Sequence, residues 1–129
     1  IIGNGDVTTP QRAAECFDKY GVDAIMIGRG SFGRPWIFKE VKHYLQTGEE
    51  ITGLTTRWKM DVLRREVADS VKLLDERRGI LHVRRHLAAW PVFKGILNFC
   101  YILIGILRAS TLDELNAILD GIEQNWLGE

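Results

Sequence analysis

The sequence predicts a mostly helical protein with a small β part at its start: two β-α units over residues 1–50, then a helical bundle over residues 51–129. Three observations predict it. Residues 24–38, AIMIGRGSFGRPWIF, pass from four apolar residues through three glycines into apolar residues at helical spacing. Residues 1–7, IIGNGDV, show the same order of strand, glycine turn and helix start. Beyond residue 50, apolar residues recur three and four apart in successive runs.

Taken in order, Ile1 and Ile2 lead into the turn Gly3, Asn4, Gly5 and Asp6. Thr9 and Pro10 start a helix through Gln11, Ala14, Phe17 and Tyr20, and Gly21 stops it. Residues 24–27 read as a strand buried on both faces. The turn that follows holds Gly28, Arg29, Gly30 and Gly33, where a bulky residue at Gly28 is expected to crowd the backbone. Pro35 suits a first helical position, so a second helix is expected at once, burying Trp36, Ile37, Val41, Tyr44 and Leu45. Tandem β-α units mean parallel strands in an α/β sheet or barrel. In a (β/α)8 barrel the loops after the seventh and eighth strands often hold a phosphate. Unpaired N–H groups at such turns attract anions, although many glycine turns join strands to helices without a ligand.

Residues 49–53 read as a linker. Thr55 or Thr56 caps a long helix expected to reach about Arg78 and stop at Gly79, with Trp58, Val62, Val67, Val71 and Leu74 on its buried face. Its arginines and lysines alternate with acids three or four residues away, which favours pairing along the helix. The next helix carries His82, Arg84, Arg85 and His86, with Leu81, Val83, Leu87 and Ala88 inward, and Pro91 ends or kinks it. Arg84 and Arg85 lack acidic neighbours on their own helix. Their partners are phosphates or the acids Asp113, Glu114, Asp120 and Glu123 of the tail. The apolar run 96–107, from Ile96 to Leu107, reads as a buried helix or a self-association surface. Thr111 and Glu114 form a capping box for a last helix, whose stripe is Leu112, Leu115, Ile118, Leu119, Ile122 and Trp126.

Hydrophobic residues make up 46% and charged residues 26% of the 129, the proportions of an ordinary soluble, cytoplasmic protein. Cys16 and Cys100 show no disulfide or metal-ligand spacing and read as core thiols. The apolar run 96–107 is too short for a membrane span. The net charge of zero is unevenly spread: Lys and Arg against Asp and Glu stand at 6 to 7 over residues 1–50, 11 to 5 over 51–108 and 0 to 5 over 109–129. A basic middle segment suits a polyanionic partner.

GNGDV, then MIGRG and GRPWIF, together with HVRRHLAAW and FKGI, resemble the end of the barrel and the start of the helical domain in the tRNA-dihydrouridine synthase family. The resemblance implies the last two β-α units of a TIM (β/α)8 barrel, followed by a C-terminal helical bundle. It implies FMN, its phosphate held by Asn4, Gly5, Gly28 and Arg29. It also implies tRNA as partner, met by Arg84, Arg85 and Lys94 of the helical part, and NADPH as the reductant of the flavin. Family enzymes reduce uridine to 5,6-dihydrouridine with a cysteine as proton donor, and no position here matches that cysteine. A (β/α)8 barrel takes about 250 residues. This chain is therefore expected to be the C-terminal piece of a longer flavoprotein oxidoreductase, inactive alone and expected to bind no flavin firmly. His82 and His86 are expected to be structural. The departure from the family is the run after FKGI, where related sequences carry more charge. Two alternatives stand beside this reading: another phosphate-binding or FMN barrel oxidoreductase, and a stand-alone helical RNA-binding or oligomerisation module whose two strands form no barrel and pair with each other, across a dimer or in a nonnative arrangement.

Overall fold

The computed structural model describes residues 1–89 and 99–126. The chain is mostly helical with one two-stranded parallel sheet, and it divides into two compact units, Ile1–Leu54 and Thr55–Glu129.

The first unit runs β1 (Ile2–Gly3), α1 (Pro10–Tyr20), β2 (Ala24–Ile25), a 3₁₀ turn (Arg29–Ser31) and α2 (Ile37–Thr47). Thr9 caps α1 as its residue type dictates, its Oγ accepting the Arg12 N–H at 3.1 Å. Pro10 is the first helical residue, and Gly21, at φ 60°, ends the helix by donating to the Phe17 carbonyl. The strands pair in parallel with Ile2 opposite Ala24 and Gly3 opposite Ile25. The core beneath them is Val7, Ala13, Cys16, Ile37 and Val41, against which Val22, Ile25 and Ile27 pack.

Several expectations for this unit are corrected. The second strand is two residues long and half-buried rather than covered on both faces, because β1 is its one partner among the described residues, and Met26 is exposed. Helix α1, expected without an assigned inward face, buries Pro10, Ala13 and Cys16, three residues apart, and leaves Tyr20 in solvent with the Lys19 ammonium 5.4 Å from its ring centre. Pro35 is not the first residue of α2. The 3₁₀ turn and a further turn at 34–36 intervene, the latter closed by the Ile37 N–H on the Arg34 carbonyl. Arg34 holds this second turn, donating to the Thr8 carbonyl at 3.1 Å and pairing with Glu40 at 3.3 Å. Leu45 is exposed.

The second unit is α3 (Thr56–Leu74), α4 (Glu76–Ala88), α5 (Phe99–Arg108) and α6 (Leu112–Trp126). Thr55 caps α3. The expected continuation to Arg78 fails at Asp75, whose φ of 103° breaks the helical path and whose carboxylate accepts the Arg78 N–H to start α4. Gly79 is therefore no stop. It lies inside α4, where it lets the helix pack on α3: a Cβ there would sit 2.7 Å from Val71 Cα and from the Ser70 carbonyl oxygen. The Ser70 hydroxyl donates to the Gly79 carbonyl at 3.0 Å across the same contact.

Among the described residues, Met60, Leu63 and Val67 of α3, Ile80, Val83 and Leu87 of α4, Ile106 of α5, Ala109 after it, and Leu115, Leu119 and Ile122 of α6 are the buried apolar side chains of this unit. Val67, Val83 and Leu87 are buried as expected, but Trp58, Val62, Val71 and Leu74 are half-buried and Leu81 is exposed, so the inward faces of α3 and α4 are partly displaced from the expected ones. Cys16 is a core thiol, but Cys100 is exposed on α5 together with Tyr101, Ile104 and Leu107. The capping box forms with a shift: Thr111 accepts the Glu114 N–H, while Glu114 reaches back to the Ser110 N–H. Pro91, Lys94 and the FKGI segment lie outside the described residues, as does the Trp126 side chain. Among the described residues no helix is long and apolar enough to cross a membrane.

Candidate functional site

Parallel pairing brings the ends of β1 and β2 to one edge of the sheet, and so brings the two glycine turns together. They enclose a cleft of about 310 Å³ lined by Asn4, Gly5, Asp6, Val7, Gly28, Arg29 and Gly30. All four residues expected to meet a phosphate line it. Gly5 at φ 154° and Asp6 at φ 48° bend the first turn through conformations that few residues adopt. The 3₁₀ turn shapes the second, with the Ser31 N–H and hydroxyl both donating to the Gly28 carbonyl.

None of the backbone N–H groups of Gly5, Gly28, Arg29 and Gly30 donates to another backbone carbonyl among the described residues. Unpaired amides from two turns around one hollow suit an anion. The Arg29 guanidinium adds a fixed cation, but it is held by Asp6, Nη2 to Oδ1 2.8 Å. Beside Val7, whose side chain belongs to the core, sequence reasoning missed two lining residues of the site. Asp6 was visible in GNGDV only as a turn residue, and Gly30 only as one glycine of three. Gly30 is the position where space is tight, since a Cβ there would lie 2.3 Å from the Val7 carbonyl oxygen. At Gly28 a Cβ meets no protein atom within 4 Å, so any crowding there would be against a bound anion.

In the helical unit, the Arg84 guanidinium donates to the Leu107 carbonyl at the end of α5, a partner that the sequence does not suggest. Arg85 is exposed and carries no ion pair among the described residues. The tail acids Asp120 and Glu123 turn to Arg64 of α3, at 2.7 and 2.9 Å. Arg64 thus pairs between helices rather than along its own. Across the α3–α4 contact, His86 Nδ1 lies 3.2 Å from Glu66 Oε1, and the His82 ring stands 5.4 Å from that of His86. Burial pushes the Glu66 carboxyl up, with His82 opposing, and pushes the His86 imidazole down, helped by the nearby His82 and Arg85.

Residues 1–96 match the family model described as Dihydrouridine synthase (Dus), a span that takes in both glycine turns. The chain belongs to the dihydrouridine synthase family. Dihydrouridine synthase relatives include tRNA-dihydrouridine synthase B of Shewanella oneidensis, 39% identical over 87 residues, which are 67% of this chain and 27% of the relative. The Proteus vulgaris tRNA-dihydrouridine synthase B is 39% identical over 88 residues, 68% of this chain and 27% of the relative. A probable tRNA-dihydrouridine synthase of Rickettsia conorii is 34% identical over 105 residues, covering 76% and 32%. The chain spans about a quarter to a third of the length of these dihydrouridine synthases.

Proposed function

We propose that this chain supplies the last two β-α units of an FMN-binding (β/α)8 barrel, and the helical domain that holds tRNA, in a cytoplasmic tRNA-dihydrouridine synthase. That enzyme would reduce uridine in tRNA to 5,6-dihydrouridine, with NADPH as reductant. The observation that carries the reading is the meeting of both glycine turns in one cleft with an arginine and four backbone N–H groups that have no backbone partner among the described residues. That donor set fits a dianionic phosphate ester: the amides offer directed hydrogen bonds, and Asn4 and Arg29 bring a side-chain amide and a guanidinium. Asn4, Gly5, Gly28 and Arg29 would hold the FMN phosphate. FMN, when bound, supplies hydride chemistry to the uracil ring.

What these residues do is bind and orient. A phosphate anchored between two β-α turns fixes one end of a long cofactor against a rigid parallel pair, so that its other end is aimed by the fold. Cys16 is buried in the core of its unit, and Cys100, exposed on α5, does not line the cleft, so neither is positioned to give up a proton to a substrate there. The proton donor of the reaction would therefore come from elsewhere in the enzyme. In the helical unit, exposed cations led by Arg85 would meet tRNA phosphates, since a helical surface recognises an RNA fold by shape and charge.

The test is titration of the purified chain with FMN and with riboflavin, which lacks the phosphate, followed by tRNA at two salt concentrations. FMN binding well above riboflavin binding, and tRNA affinity that falls steeply with salt, are the expected results. Equal binding of the two flavins would overturn the phosphate assignment, and salt-independent or absent tRNA binding would overturn the role of the helical unit.

A further inference from the structure

We propose that Asp6 gates the cleft: its carboxylate holds the Arg29 guanidinium in place of a phosphate and must release it when a phosphate enters. The inference rests on the phosphate reading of the cleft and names the residue that regulates it. Asp6 is the one acid among the seven lining residues, and it faces the one cation. The pair is close, at 2.8 Å, yet its two side chains are 73% and 81% exposed. An ion pair so open to water is weak, so a dianion with amide donors around it can displace it. A phosphate arriving beside Asp6 also meets its negative charge.

Asp6 is bound to its place by more than its charge. Its φ of 48° lies in the left-handed region, which Asp and Asn enter more readily than other side chains. Asn would keep that turn and remove the charge, while Gly would keep the turn and remove the acceptor as well. The parts of the site therefore separate cleanly: the Asp6 carboxylate competes with the ligand for Arg29 and repels it, whereas the backbone amides of Gly5, Gly28, Arg29 and Gly30 do neither. The cleft is selective for ligands charged enough to win Arg29 from Asp6, a dianionic phosphate ester over a neutral or singly charged group.

The experiment follows binding of inorganic phosphate by ³¹P line broadening and of FMN by fluorescence quenching, in the whole chain and in Asp6→Asn, Asp6→Gly, Arg29→Ala and the double variant Asp6→Asn/Arg29→Ala, with circular dichroism to check folding. Both Asp6 variants are expected to bind phosphate and FMN about 3- to 10-fold more tightly. Arg29→Ala should bind more weakly, and in its background Asp6→Asn should recover less than it gains alone, because part of its effect runs through Arg29. Binding by the Asp6 variants with none by the unaltered chain would support the gate in its strongest form. Unaltered or weaker binding in both folded Asp6 variants, while the unaltered chain binds, would overturn the gate and leave the phosphate reading standing. If neither the unaltered chain nor any Asp6 variant binds either probe, the phosphate reading itself falls and the gate with it.

Discussion

Gly30 passes so close to Val7 that a Cβ on it would lie 2.3 Å from the Val7 carbonyl oxygen. This contact sets the spacing of the two turns around the cleft. Gly30→Ala forces backbone against side chain and should cost about 1–3 kcal/mol of stability in the first unit, with loss of phosphate binding. Gly28→Ala, whose Cβ meets no protein atom within 4 Å, should lose less stability than Gly30→Ala. Thermal unfolding and phosphate titration of the two variants check the contrast, and equal behaviour would show that the spacing of the turns does not matter.

The second unit holds a glycine of the same kind. Gly79→Ala would place a methyl 2.7 Å from Val71 Cα and N and push α4 away from α3. A loss of about 1–3 kcal/mol is expected in denaturant unfolding. A variant as stable as the parent would mean that the two helices slide apart without cost.

Arg64 spans from α3 to α6, and its guanidinium is the shared partner of Asp120 and Glu123. Arg64→Ala leaves two carboxylates facing each other. The expected loss is about 1 kcal/mol, reduced in high salt because Asp120 is more than half exposed. Chemical unfolding at low and high salt measures it.

The His86 imidazole is held below its ordinary value of 6.5, so the folded state resists a proton that the unfolded chain accepts. Its contribution is intact above pH 6.5 and is lost as the pH falls below it. The raised Glu66 carboxyl acts with the opposite sign: the folded state prefers the protonated form, and the strain of its buried charge is relieved as the pH falls toward its own titration range. The contribution of His86 to stability should therefore decline from pH 7 towards its folded titration range. His86→Gln should flatten that decline, and an undiminished slope would assign it to other groups.

Arg85 is the cleaner probe of RNA contact, because Arg84 also anchors the end of α5 through the Leu107 carbonyl. Arg85→Ala should weaken tRNA binding at low salt and lower its salt slope by about one, with little change in melting temperature. An unchanged slope would remove Arg85 from the interface.

Much of the fold was legible because it depends on neighbours in sequence. Thr9, Pro10 and Gly21 announce α1, Thr55 announces the start of α3, and the spacing of Leu115, Leu119 and Ile122 announces the inner face of α6. The break at Asp75 was not legible. Leu74 and Glu76 both favour a helix, and the chain turns there because α4 gains more by packing on α3 than one straight helix would by continuing. The same cause displaced part of the buried faces of α3 and α4, where Val67, Val83 and Leu87 are inward as expected and Val71 and Leu81 are not, since several rotations of an amphipathic helix bury comparable apolar area and only the partner helix selects one.

By itself the sequence determined the order of the elements, the two glycine turns, the uneven charge and the family, all carried by residue types within a few positions of one another. Tertiary structure decided which of these residues meet. It set Asn4, Gly5, Gly28 and Arg29 around one cleft, gave Arg29 to Asp6 and Arg64 to the tail acids, and tied Arg84 to a carbonyl. Charges and close backbone contacts between residues twenty to sixty positions apart depend on the register of a parallel strand pair and the rotation of packed helices, and local spacing does not encode either.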